Sequence, residues 1–189
     1  MHSQKEKSSI FVKNNQDFFF LILLSVLFAC SLRQEPLFSS NQFSYLLKPI
    51  SKVMGFPLSK DWLANTTDHT ILFSQVTEFL YSLSPNLLYF VHGFFTLILI
   101  LSLCLISKQL GSNQFNKLSL SIFFILFFIL EIVFGTLNMG NGGHYILGRF
   151  YQPSIFGILI IVSILFFINK KYIISIFCLI LSAYLHPTY

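Results

Sequence analysis

The chain has 189 residues, of which 54% are hydrophobic and only 10% charged, with 24 phenylalanines and a formal net charge of +5. A soluble domain carries about 25% charged residues, so this chain cannot cover its surface with ionic groups, and lipid becomes its expected solvent. The positive balance does not point to nucleic acid, because most of the lysines flank apolar runs, where they act as topology signals.

Residues 1–17 are polar, carry Lys5, Lys7 and Lys13, and read as a cytoplasmic N-terminus. Residues 18–32 form a first apolar run, short against the ~20 helical residues a bilayer core wants, but extendable by its flanks. A signal peptide is the competing reading: the start is basic, small residues lie near Ala29, and Leu27-Phe28-Ala29-Cys30 has the form of a lipoprotein cleavage box. The further spans that follow suit an uncleaved first helix better.

Residues 33–85 make one long connection, and a loop of more than about 15 residues is expected to hold structure of its own. A Pro-interrupted helix is expected from Phe43 to Met54. A second is expected from Ile71 to Leu83, where Leu72, Val76, Phe79, Leu80 and Leu83 recur at helical spacing with Gln75 and Glu78 between them. Asp68 is placed to cap it. Its polar interruptions favour a position on the membrane surface over a crossing. Trp62 beside Asp61 reads as an interfacial anchor. Asn65-Thr66-Thr67 matches a short glycosylation acceptor.

Residues 86–106 are the second predicted span, with His92 inside it. Residues 107–117 form an inner turn with Lys108 and Lys117, and residues 118–137 a third span carrying Glu131. A Gly-rich outer loop, 138–153, holds His144 and Arg149. A fourth span (154–168), the basic turn Asn169-Lys170-Lys171 and a fifth span (172–186) follow, with 187–189 at the outer end. The abrupt stop after the fifth span predicts the N-terminal part of something longer. Cys30, Cys104 and Cys178 sit inside apolar runs without metal-ligand spacing and read as small packing residues. The expected fold is therefore all-α: a polytopic bundle of about five transmembrane helices with amphipathic surface helices in its first outer loop.

With the N-terminus inside, the short inner segments hold most of the lysines, and that bias sets orientation. His92 and Glu131 then each lie roughly 9 Å from the outer ends of their helices, at about 1.5 Å per residue. Glu35, His144, Arg149 and His186 fall on the same side. A carboxylate in a membrane helix costs about 3 kcal/mol and faces protein or water, so these residues suggest one outward polar pocket. Each also has a plainer reading. Glu131 can pair with Arg149 or His92 to pin helices, and His92 can be a packed histidine. Asn138–Gly143 can be a flexible turn rather than an anion-holding nest. Arg149 can snorkel rather than bind phosphate. Asp61 and Asp68, with His69 adjacent, can be solvated loop acids rather than a general base and its partner.

The segments SNQFSYLLKP, KDWLANTTDH, GGHYILGRFYQPS and SAYLHPTY, with the order of short basic start, one span, long outer loop and closely spaced spans, resemble the N-terminal part of the GT-C class of polytopic membrane glycosyltransferases. Within it they resemble a group of bacterial membrane proteins of that architecture. The resemblance implies transfer from a polyprenyl-phosphate sugar at the outer face of a plasma or inner membrane. It also implies a base carboxylate close after the first span, which falls on Glu35 with Asp61 as the next candidate, a basic residue for the lipid phosphate, which falls on Arg149, and often a divalent metal. Two departures stand out. The class has Asp where Glu35 stands, and its second outer loop usually carries an acid, whereas 138–152 has none.

Two other functions fit the pattern: a transport or channel component with Glu131 and His92 on its path, and a non-catalytic assembly subunit or truncated remnant. The inner halves of the spans are almost purely apolar, which disfavours a path. Sidedness is directly testable: a tag in 138–152 is expected to label from outside intact cells and a tag in 107–117 only after permeabilisation; the opposite pattern overturns the pocket.

Overall fold

The computed structural model describes residues 15–31, 34–39, 42–110, 117–131, 148 and 151–186, and over these it is all-helical. Seven α-helices follow in order: α1 (Asn15–Ser31), α2 (Gln42–Met54), α3 (Ile71–Leu83), α4 (Asn86–Leu110), α5 (Lys117–Ile129), α6 (Ile158–Ile168) and α7 (Tyr172–Leu185). Short 3-10 turns occupy Leu58–Lys60, Leu63–Asn65 and Pro153–Gly157. The fourth apolar run thus starts as a tight 3-10 turn behind Pro153, whose fixed φ suits a helix start. Helix α2 runs through Pro49 without a break. At 25 residues, or about 37 Å, α4 is long and apolar enough to cross a membrane; the other apolar helices, Gln16–Ser31, Lys117–Ile129, Pro153–Ile168 and Tyr172–Leu185, are shorter.

Side-chain contacts fix how the helices run. His92, Phe95 and Gln109 of α4 meet Gly148, Phe156 and Asn169 respectively, so α4 and α6 are parallel. Gln34, just past α1, reaches Tyr89 near the start of α4, so those two are antiparallel. Phe28 of α1 packs on Phe127 and Phe128 near the C-terminal end of α5. The three-residue turn 169–171 folds α7 back along α6. One end of the bundle therefore gathers the C-terminal ends of α1, α5 and α7 with the N-terminal ends of α4 and α6. Lys108, Lys117, Lys170 and Lys171 lie at the other end.

The α2–α3 pair covers the first of these ends. Leu46 and Ile50 of α2 and Phe73 of α3 share one fully buried cluster with Tyr151, Ile155, Phe156 and Leu185. Sequence spacing assigns the packing stripe of α3 to Leu72, Val76, Phe79, Leu80 and Leu83, but Phe73, Ser74 and Thr77 are the buried residues, and Phe79 and Leu83 are exposed. The helix is apolar on two sides, and the side that meets Tyr151 is the one buried.

In the bundle, hydroxyl side chains are buried among the apolar core while many large apolar side chains face outward. Ser25, Thr96, Ser102, Ser163, Ser175 and Ser182 are buried, while Ile173, Ile176, Phe177, Ile180 and Tyr184 of α7 are exposed. The buried hydroxyls find partners nearby: Ser25 donates to the Leu21 carbonyl (2.8 Å), Ser182 to that of Phe156 (3.1 Å), and Ser163 and Ser175 bond each other at 2.8 Å. Small polar residues at helix contacts allow close approach and interhelical bonding in an apolar medium.

The α6–α7 turn closes with a paired helix cap. Lys171 N–H donates to the Phe166 carbonyl and Lys170 N–H to that of Phe167, both at 2.9 Å, with Lys170 left-handed at φ 58°. Glycine normally takes that position, because a Cβ there costs roughly 1 kcal/mol. Lys170→Gly is expected to raise the unfolding midpoint in a detergent–denaturant titration by an amount worth about 1 kcal/mol, and Lys170→Val to lower it.

Candidate functional site

Two segments distant in sequence dock on the first turns of α4. The Gln34 amide donates from Nε2 to the Tyr89 carbonyl (3.1 Å), and the Leu37 N–H donates to the Tyr89 hydroxyl (3.0 Å). Three residues on, His92 Nε2 lies 2.8 Å from the Gly148 carbonyl oxygen. Positions three apart are about 4.5 Å apart along a helix, so the 34–39 segment and Gly148 meet one end of the same helix. A carbonyl only accepts, so Nε2 of His92 carries the proton and Nδ1 presents its lone pair. That Nδ1 is buried without a protein partner.

Tyr151 fixes the other side of this end. Its carbonyl accepts from Gln42 Nε2 (2.9 Å), its hydroxyl lies 3.3 Å from Thr77 Oγ1, and its ring stacks on Phe73 with centroids 5.1 Å apart. Burial pushes the Tyr151 hydroxyl up to about 12, partly opposed by its bond to Thr77. It is a neutral structural hydroxyl at physiological pH and no candidate acid or base. Gly148 and Tyr151 are both buried.

Of the residues singled out from sequence, Glu35 is half-buried and sits next to Gln34, with no ion pair among the described residues. Asp61 and Asp68 stand in the 3-10 region over α2, where each holds its own turn: Asp61 Oδ1 accepts from the Leu63 N–H and Asp68 Oδ1 from the Thr70 N–H, both at 2.8 Å. Asp68 therefore bonds the residue just before α3 rather than the free N–H groups within its first turn. Asn65 Nδ2 donates to the carbonyls of Ser59 (3.0 Å) and Asp61 (2.8 Å), so the acceptor nitrogen of the glycosylation triplet is engaged. Trp62 is 76% exposed. Glu131 is half-buried at the end of α5, and His186 is buried after α7. His144, Arg149 and the Asn138–Gly143 stretch lie outside the described residues.

Sequence reasoning missed Gln34, Gln42, Tyr89 and Tyr151. All four are uncharged, and only their place inside or beside the polar motifs sets them apart. Among the described residues no three His, Cys, Asp or Glu side chains stand together as a metal site. Between α1 and α4 lies a groove of about 450 Å³, lined by Val26, Ala29, Cys30, Gln34, Tyr89, Phe90, Gly93, Phe94 and Leu97.

His92→Leu is expected to leave the Gly148 carbonyl buried and unbonded, at a cost of about 1–3 kcal/mol in a detergent–denaturant unfolding titration. His92→Gln, which keeps a donor, is expected to lose less. The chain matches no protein-family model, no curated protein and no solved structure.

Proposed function

We propose that this chain is an integral membrane protein in which α1, α4, α5, α6 and α7 cross the bilayer, with the α2–α3 pair at the outer surface. We further propose that it is all or part of an extracytoplasmic glycosyltransferase using a polyprenyl-phosphate sugar. The membrane reading is supported by the many large apolar side chains that α5 and α7 expose, since soluble monomers rarely show extended apolar surface. The lysines at the end opposite the α2–α3 pair support the orientation.

The observation that carries the transferase reading is the shared docking on α4. Gln34, beside Glu35, and Gly148, beside Arg149, both bond within one turn of that helix. The proposed base and the proposed anion-holding residue each neighbour one of these contacts in sequence, an order that suits glycosyl transfer from a lipid phosphate. In the proposed step Glu35 removes the proton of an acceptor hydroxyl while the hydroxyl oxygen forms a bond to the anomeric carbon. The bond from that carbon to the phosphate oxygen breaks, and polyprenyl phosphate leaves with the electron pair. Arg149 holds the departing phosphate through paired N–H donors. Asp61 and Asp68, which hold turns, take no part.

The test is release of polyprenyl phosphate from a panel of labelled polyprenyl-phosphate sugars by membranes containing the chain. Glu35→Gln and Arg149→Ala are each expected to lower release by at least ~100-fold at unchanged membrane levels. Asp61→Asn and Asp68→Asn should stay within about twofold, as for surface changes generally. Wild-type release from both Glu35→Gln and Arg149→Ala would remove the assignment.

A further inference from the structure

We infer that residues 53–62, the end of α2 and the turn beyond it, form a tip that seats in the phospholipid headgroup layer. The inference rests on the membrane reading and is independent of the transferase reading. The turn uses its polar groups on itself. Gly55, left-handed at φ 70°, ends α2 with its N–H on the Ser51 carbonyl (2.8 Å), and the Ser59 N–H returns to the Gly55 carbonyl (3.0 Å). Asp61 and Asn65 close the two 3-10 turns, which pack on each other and on α2. The large apolar side chains are left outside: Met54, Phe56 and Trp62 are 57%, 73% and 76% exposed. Exposed apolar groups gathered on one turn mark a contact surface.

Its place in the fold and its one free cation name the occupant. The Tyr81 hydroxyl meets Met54 Sδ at 3.6 Å, so α2 and α3 end side by side, and α4 begins five residues after Tyr81. Five residues span at most ~18 Å, which sets the tip close to the point where α4 enters the bilayer. Lys52 is already paired with Glu78. Lys60 is exposed, makes no ion pair among the described residues, and holds Nζ 5.1 Å from the centre of the Phe56 ring. Against an apolar protein face that ammonium would lose its hydration without a counter-charge, at high cost. At headgroup level the ring lies beside the acyl carbonyls while the ammonium reaches water and phosphate oxygens, as interfacial aromatics and snorkelling lysines do.

Trp62 supplies the readout, because it is the only tryptophan in the chain. The purified full chain is reconstituted into phosphatidylcholine vesicles brominated near the carbonyl end of the acyl chains or near their methyl end, with or without iodide on both sides. Bromine near the carbonyl end is expected to quench Trp62 emission roughly twofold more than bromine near the methyl end, as for a ring at headgroup level, and iodide to quench little. Phe56→Asp is expected to lower the bromine quenching by about half and to raise that by iodide, because a carboxylate resists burial beside acyl chains. Alkaline carbonate extraction tests the membrane reading separately. A chain that stays in the vesicles while iodide alone quenches Trp62 keeps that reading and overturns the inference. A Trp62 that neither quencher reaches also overturns it, since protein or a second copy then covers the tip. Equal quenching from both bromine positions, or a Phe56→Asp chain that behaves as the native one, does the same; release by carbonate removes both readings.

Discussion

Tyr151 is held through its carbonyl, its hydroxyl and its ring. Its carbonyl takes the Gln42 amide, its hydroxyl meets Thr77, and its ring lies on Phe73 and against Phe156. One residue thereby joins α2, α3 and the start of the fourth apolar run, and it is nearly inaccessible to solvent. Without that anchor the α2–α3 pair would rest on the bundle, among the described residues, only through side-chain packing. The surface ion pair of Lys52 and Glu78, at 3.0 Å with both side chains partly exposed, contributes little by comparison, because solvent screens it. The end of the molecule under the α2–α3 pair is ordered by buried neutral hydrogen bonds and aromatic contacts, and hardly by charge.

The bundle below follows from the same poverty of charge. Its helices meet through serine, threonine and cysteine as well as leucine, isoleucine and phenylalanine, and many isoleucines and phenylalanines also face outward. Buried hydroxyls bond a carbonyl one turn back (Ser25, Thr96), a carbonyl of another segment (Ser182) or a hydroxyl across the interface (Ser163 and Ser175). Phe28 packs on Phe127 and Phe128 between α1 and α5. Local hydroxyl-to-carbonyl bonds and interlocked rings are both satisfied without water.

Much of this architecture is legible in the sequence because it rests on local pattern. The apolar runs are helical where they are described, while 132–137 of the third expected span lie outside the described residues. The boundaries of α3 (Ile71–Leu83) and α2 (Gln42–Met54) follow from helical spacing in a loop that composition alone would leave blank. Pro49 weighed against a continuous α2 because its local cost is readable, while the packing of Leu46, Leu47 and Ile50 that outweighs it is not. The buried face of α3 was hidden for the same reason: two apolar stripes compete, and only Tyr151, some seventy positions later, selects between them. At the candidate site, depth along the helices brought His92 and the Gly-rich loop to one level. The bond to Gly148 and the docking of Gln34 on Tyr89 could not be read, because neutral amides and backbone carbonyls acquire their roles only from partners far along the chain. Asp61 and Asp68 attract attention as charges, but their geometry is that of turn formers.

The hairpin of α6 and α7 carries a consequence for assembly. Its helices have 11 and 14 residues, and their serines face each other. Ser175 donates to the Ser163 carbonyl while the two hydroxyls bond each other, so the paired helices satisfy these polar groups between themselves. On the membrane reading, the pair is favoured as one inserted unit, because a three-residue connection makes the encounter nearly immediate.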